Sequence, residues 1–365
     1  MRILAAAAAL TGLACAAEHW RLQYFYDQDD SELSLTDIQF PSERRGIAAG
    51  YLSRDGRRQP AALLTGDGGR RWDLTRPPDI ALALFFLDER LGWMVGRNGL
   101  YRTEEAGRSW RKLPSPQGIL RVYFLDEQHG WAVGERKSVY ATADGGLTWS
   151  RLPAGDQPKA NPAHTAYGWI AFADRRHGII AGWSRPPRRD EPDRLPDWMD
   201  PERAERRREW PTLSILLDTH DGGASWTPSV ASMFGQITRV RLAPDGRGLG
   251  LIEFTHSFQW PSEVFRLDWR TGRSQRAFRR ADRAVTDIAL PPSGPAYLAA
   301  IEPQSLKLRL PLPGKLKVLR SDDLAHWQEM EVDYRATARR AAFAVAAPGR
   351  IWLATDTGMI LALEQ

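Results

Sequence analysis

The sequence predicts an all-β fold, a seven-bladed propeller of four-stranded blades, and three observations carry that reading. The stretch "TADGGLTW" at Thr142 to Trp149 returns as "TGDGGRRW" at Thr65 to Trp72 and "THDGGASW" at Thr219 to Trp226, and more loosely as "TEEAGRSW" at Thr103 to Trp110. A second signature lies upstream, "FLDERLGWMVG" at Phe86 to Gly96 and "FLDEQHGWAVG" at Phe124 to Gly134. Short β-branched or aromatic runs such as "LRVYFL" and "SVYAT" are bounded by turn residues, and helical periodicity is almost absent. Repeats of about 40 to 50 residues with four strands each signify propeller blades.

Blade 1 carries "FPSERRGIAAG" (Phe40 to Gly50) and the turn at Thr65; blades 2 and 3 carry the clearest copies. From Thr142 to Thr219 the spacing doubles to 77 residues, yet only one strand signature, "FADRRHGIIAG" (Phe172 to Gly182), lies between, which makes this one blade with an insertion at 184–211. Blade 5 follows with "APDGRGLGL" and a worn turn "LDWRTGRS", and blade 6 with "PPSGPAYLAA" and "SDDLAHW", one residue short. Blade 7, "APGRIWLAT" then "ATDTGMILAL", has no tryptophan strand after it. "HWRLQYF" (His19 to Phe25) matches the W-x-x-L of "WRKL" and "WSRL", so the chain's beginning is expected to supply the missing outer strand and remove an open sheet edge.

The repeated turn is read as structural. Asp67, Asp144 and Asp221 accept hydrogen bonds from the turn backbone, the glycines supply positive φ, and the threonine hydroxyl ties the turn ends. Trp72, Trp110, Trp149, Trp226 and Trp327 are expected to pack across the hairpin, each buried indole contributing roughly 3 kcal/mol or more.

At 42% hydrophobic and 26% charged, the 365 residues have the composition of a folded protein with a large core. Net charge is +5 and only six of the 50 basic residues are lysine, but acids are interspersed among the bases, which argues against nucleic acid. Residues 1–17, "MRILAAAAALTGLACAA", read as a signal peptide ahead of a single domain over 18–365, so the chain is expected outside the cytoplasm, periplasmic or extracellular. Cleavage near Ala16 and lipidation of Cys15 both remain open, although Gly12 stands where a lipoprotein signal usually has Leu. Cys15 is the one cysteine, so a mature chain has no disulfide, and the seven histidines show no metal spacing. Neither a cofactor nor a metal is expected, and a monomer is.

The Thr-x-Asp-Gly-Gly-x-Thr-Trp turn resembles the Asp-box, or bacterial neuraminidase repeat, of sialidases and several non-enzymatic propellers. Its pairing with "GW-x-VG" is most similar to the photosystem II stability and assembly factor family, strongly over blades 2 and 3 and weakly over blades 5 to 7. That resemblance implies a seven-bladed, non-catalytic scaffold that binds protein through an arginine-rich surface and helps to assemble a membrane or envelope complex.

On the face opposite the repeated turns, the loops hold Arg54, Arg57 and Arg58 in blade 1, Arg97 in blade 2, Arg136 and Lys137 in blade 3, and Arg185, Arg188 and Arg189 in blade 4. A basic arc there would attract acidic protein segments or an anionic membrane surface, while solvated arginine from codon bias is the bland alternative. The insertion carries eight basic and eight acidic residues, with a short helix expected from Asp200 and Pro201. Trp198 and Trp210 stand outside the repeat and either pack it down or anchor a partner. The enzyme alternative is a sialidase-like glycosidase. Its candidates are Asp37, Arg121, Arg239 and Asp287, at matching positions near the starts of inner strands, where they would line a channel mouth. The sialidase signature (F/Y)-R-I-P is absent.

Overall fold

The computed structural model describes residues 18–28, 30–185, 209–255, 258–302 and 312–364. They form seven sheets, six running in chain order from an innermost to an outermost strand and the seventh completed on its outer side by the chain's first strand. The inner strands are Glu32–Gln39, Ala81–Phe86, Ile119–Phe124, Thr165–Phe172, Gln236–Leu242, Ala284–Ala289 and Ala341–Ala347. Each contacts the inner strand of the next blade, and the seventh contacts the first, which closes the ring. The expected seven-bladed propeller is therefore present, with the single-blade reading of 142–219 intact.

Closure follows the expected register. The strand His19–Phe25 pairs antiparallel with Met359–Glu364, Trp20 opposite Leu363 and Tyr24 opposite Ile360. Trp20 is buried against Tyr297, Phe343 and the Met330 sulfur, so the closing strand joins the core of blades 6 and 7. The segment Glu331–Val332 covers its far side in parallel pairing.

The two repeat signatures lock neighbouring blades together. In blades 1 to 4 the Phe at the end of the inner strand lies flat over the glycine that opens the second strand; a Cβ on Gly46, Gly92, Gly130 or Gly178 would sit 2.4–2.6 Å from that ring. On the Phe's other side lies a second-strand indole of the preceding blade: Trp93 stacks on Phe124 with centroids 3.7 Å apart, and Trp352 on Phe40 at 3.6 Å. The Trp93 Nε1 donates to the carbonyl of Gly145 in the next blade's turn, and the Trp352 Nε1 to Gly68. The turn tryptophan then meets the same Phe edge-on, as Trp149 does Phe124 and Trp226 does Phe172. At three junctions, around Phe40, Phe124 and Phe172, one phenylalanine is thus held by two indoles and a glycine.

The turns behave as their chemistry requires. In blade 3 the Thr142 hydroxyl donates to Asp144 Oδ1 at 2.8 Å and accepts from the Gly146 N–H, while Asp144 accepts from the Leu147 and Thr148 N–H groups and from the Thr148 hydroxyl. Blades 1 and 4 repeat this around Asp67 and Asp221. The tryptophans are less enclosed than expected: Trp226 is buried, but Trp72, Trp110, Trp149 and Trp327 are only partly so, because a hairpin tip covers one side of a ring and leaves the other to solvent.

Candidate functional site

The inner strands share one geometric feature. In six of the seven, the register slips by one residue just before the position that faces the middle of the second strand. Such a bulge re-aims the side chain that follows it. The residues at that position, blade 1 to blade 7, are Asp37, Ala83, Arg121, Trp169, Arg239, Asp287 and, without the slip, Ala342. All four candidates of the enzyme alternative fall on this ring. Each lies within its inner strand, directly after the slip.

Trp169 organises the cluster. The guanidinium of Arg121 lies 3.9 Å from its ring centroid, and those of Arg239 and Arg241 at 4.7 and 4.9 Å, all within cation–π range. Its Nε1 donates to the Val240 carbonyl at 2.6 Å, which fixes the ring. Arg121 reaches Asp37 at 3.8 Å, although their blades are not neighbours. The intervening ring residue is Ala83, small enough to leave that path open. Asp287 lies 3.4 Å from Arg239 and 3.9 Å from Arg241. Enclosure, opposed by Asp37 and reinforced by Arg239 and Arg241, pulls Arg121 down to about 10. Arg241 and Trp169 were missed in the sequence, because nothing in a strand pattern says which side chains meet around an axis.

Both carboxylates also hold the ring together. Asp37 accepts from its neighbour Ile38 and from the Leu84 N–H of blade 2, each at 2.9 Å. Asp287 Oδ2 accepts from the Phe343 N–H of blade 7 at 2.7 Å. A glycosidase needs two carboxylates free to face a sugar across several ångströms. Here three of the four oxygens are already bonded to main chain.

The outer face presents a different arrangement. Arg54, Arg57, Arg58, Arg97 and Arg136 are exposed, and among the described residues none of them makes an ion pair. Arg58 leans over Tyr51 with 4.6 Å to the ring centroid. On blades 5 to 7 the arginines of the same face are matched: Arg279 with Glu263 at 3.0 Å, Arg280 with Asp282 at 2.6 Å, Arg339 with Asp356 and Arg340 with Glu253 at 3.0 Å each. Among the described residues the unpaired arginines of this face thus lie on blades 1 to 3, and acids match those of blades 5 to 7.

Two expected members of the arc differ from the sequence reading. Lys137 is buried, its Nζ donating to the carbonyls of Asp156 and Pro158 at 2.8 and 2.7 Å, so it fastens the link into blade 4 and cannot meet a partner. Arg185 is held by Glu209 at 2.7 Å and by Thr255, and lies 5.7 Å from the Trp210 ring. It therefore packs the base of the insertion. Arg188, Arg189 and Trp198 lie outside the described residues, as do Asp200, Pro201 and Cys15.

Arg136 and Lys137 both have positive φ, 54° and 60°, where a tight hairpin ordinarily places Asn-Gly. Each non-glycine residue there costs about 1–2 kcal/mol. The buried Lys137 ammonium holds the turn, and Arg136 is left projecting from it.

No known family profile matches the chain, and no curated protein matches its sequence. Solved structures do match it. YCF48 bound to D1 peptide superposes with a TM-score of 0.60 at 15% identity, over 93% of this chain and 99% of that one. YCF48 from Cyanidioschyzon merolae gives 0.59 at 15% identity over 95% and 98%. An ancestral GH74 enzyme gives 0.51 at 16% identity, over 75% of this chain and 35% of that one. The likeness is one of fold.

Proposed function

We propose that this chain is an exported, non-catalytic propeller that binds an acidic segment of a membrane or envelope protein and serves the assembly or stability of that protein's complex. The observation that carries the reading is the asymmetry of the outer face: five exposed arginines over blades 1 to 3 that make no ion pair among the described residues, against matched arginines on blades 5 to 7. Unmatched guanidinium groups on a rigid scaffold suit carboxylate-rich peptides, because the fork geometry pairs bidentately. A neighbour of the same fold, over nearly the whole of both chains, holds a peptide. The repeated turns of the opposite face use their Asp, Thr and Gly groups internally and offer a partner little.

Charge reversal of Arg57, Arg58, Arg97 and Arg136 together tests the proposal by crosslinking in the native envelope and identifying the captured protein. Capture is expected to be lost, and the native interaction to weaken as salt rises from 0.1 M to 1 M, where the screening length falls from about 10 Å to about 3 Å. Equal capture by the reversed variant refutes it. Turnover of a sialoside or β-glycan that is abolished by Asp287→Asn would replace it with the glycosidase reading.

A further inference from the structure

The axial cluster carries an unbalanced charge. Three guanidinium groups, Arg121, Arg239 and Arg241, converge on Trp169, and the carboxylates among them are Asp37 and Asp287. The next charged pair toward the outer face, Arg340 and Glu253, is matched within itself at 3.0 Å. One positive charge is left over.

Donors are unbalanced in the same direction. A guanidinium carries five N–H donors. Among the described residues the three make two hydrogen bonds, Arg239 to the Thr238 carbonyl at 2.8 Å and Arg241 to that of Ile288 at 3.2 Å. The Arg121 Nε is buried with no partner. Their carboxylate contacts, at 3.4–3.9 Å, are longer than charge-assisted hydrogen bonds, which close to about 2.7–2.9 Å. Asp37 cannot shorten its contact without loosening the N–H groups it already receives. Solvent still reaches the cluster, since the three arginine side chains are 18%, 22% and 32% exposed.

We infer that the propeller axis is a binding site for a small singly charged oxyanion, a carboxylate, held by the forks of Arg121, Arg239 and Arg241 beside Trp169. The anion would supply acceptors to the open donors and cancel the residual charge in a partly desolvated place where like charges repel strongly. It comes either as a free ion or as the terminal carboxylate of a peptide. This site uses none of the outer-face arginines and does not depend on them.

The test is thermal unfolding of the full chain in sodium acetate against sodium chloride at equal ionic strength. A ligand that binds the folded state raises the midpoint with its concentration. The expected result is a larger rise in acetate. Two variants must move the acetate affinity in opposite directions: Arg241→Met, which balances the charges, weakens it by roughly ten- to a hundredfold, and Asp287→Asn, which adds a positive charge, strengthens it. Both variants lose a native contact, so mere destabilisation would move them alike. No difference between acetate and chloride, or affinities that shift in the same direction in the two variants, overturns the site. Should either variant fail to fold, a crystal of the unaltered chain soaked in 3-bromopropionate decides the matter: anomalous density from its bromine beside Arg239 and Arg241 supports a carboxylate site, and its absence there refutes one. A short peptide with a free C-terminus that competes with acetate, where its amidated form does not, assigns the chain end as ligand; no competition assigns the free ion.

Discussion

Replacing Trp93 with alanine is the sharpest test of how the blades hold together. The indole is fully buried, stacks on Phe124 of the next blade at 3.7 Å, and donates to the Gly145 carbonyl at 3.1 Å. An indole removes roughly 200 Å² from water, which at about 25 cal/mol per Å² is about 5 kcal/mol. The stacked pair adds about 0.5–1.5 kcal/mol and the hydrogen bond about 1 kcal/mol. Partial relaxation of the cavity and regained side-chain freedom bring measured aromatic truncations back to about 3–5 kcal/mol. We expect about 4–5 kcal/mol for Trp93→Ala. Trp149→Ala, at the half-buried hairpin tip on the other side of the same Phe124, is expected to cost about 2 kcal/mol, since less surface is removed from water. Trp93→Phe keeps a ring on Phe124 but strands the Gly145 carbonyl, for about 1–2 kcal/mol. Urea unfolding followed by near-ultraviolet circular dichroism reads all three, with the slope against urea unchanged if each variant unfolds to the same state. If Trp93→Ala costs no more than Trp149→Ala, the blades are not joined through these rings and the account of the Gly-Trp signature is wrong.

Ala106 occupies the place of the first turn glycine in blade 2 and is held at φ 56°; Ala106→Gly should therefore raise stability by about 0.5–1 kcal/mol, after the greater backbone freedom of glycine is deducted from the left-handed strain, and a lower melting temperature would contradict the turn geometry. Asp144 and Asp221 are pulled down to about 2, chiefly by hydrogen bonds from the Thr148 and Ser225 hydroxyl and N–H groups. A depressed folded-state value stabilises the fold above the ordinary carboxylate range and is lost as the pH falls through about 2. The urea midpoint should accordingly fall between pH 4 and pH 2, and the drop should be shallower in the Asp144→Asn, Asp221→Asn double variant; an equal drop would place the acid sensitivity elsewhere.

The sequence by itself determined the blade count, the strand order and the ring closure. Each rests on local chemistry that recurs: Asp-Gly-Gly needs only its own hairpin to be satisfied, and a W-x-x-L strand without a blade can be matched to a blade without an outer strand. It also found Asp37, Arg121, Arg239 and Asp287 as equivalent positions, because equivalence in a repeat is a matter of spacing. What those side chains touch was decided by the tertiary structure. The reach of Arg121 past Ala83 to Asp37, the arrival of Arg241 at Trp169, and the stacking of Trp93 on the next blade's Phe124 all join residues through the closed ring rather than along a strand. The same holds for charge. Lys137 and Arg58 look alike in a basic loop, yet one is buried on two carbonyls and the other stands in solvent. Spacing along a strand repeats whatever the rest of the chain does, whereas burial and ion pairing depend on which distant groups closure brings within a few ångströms, and that follows from packing in three dimensions.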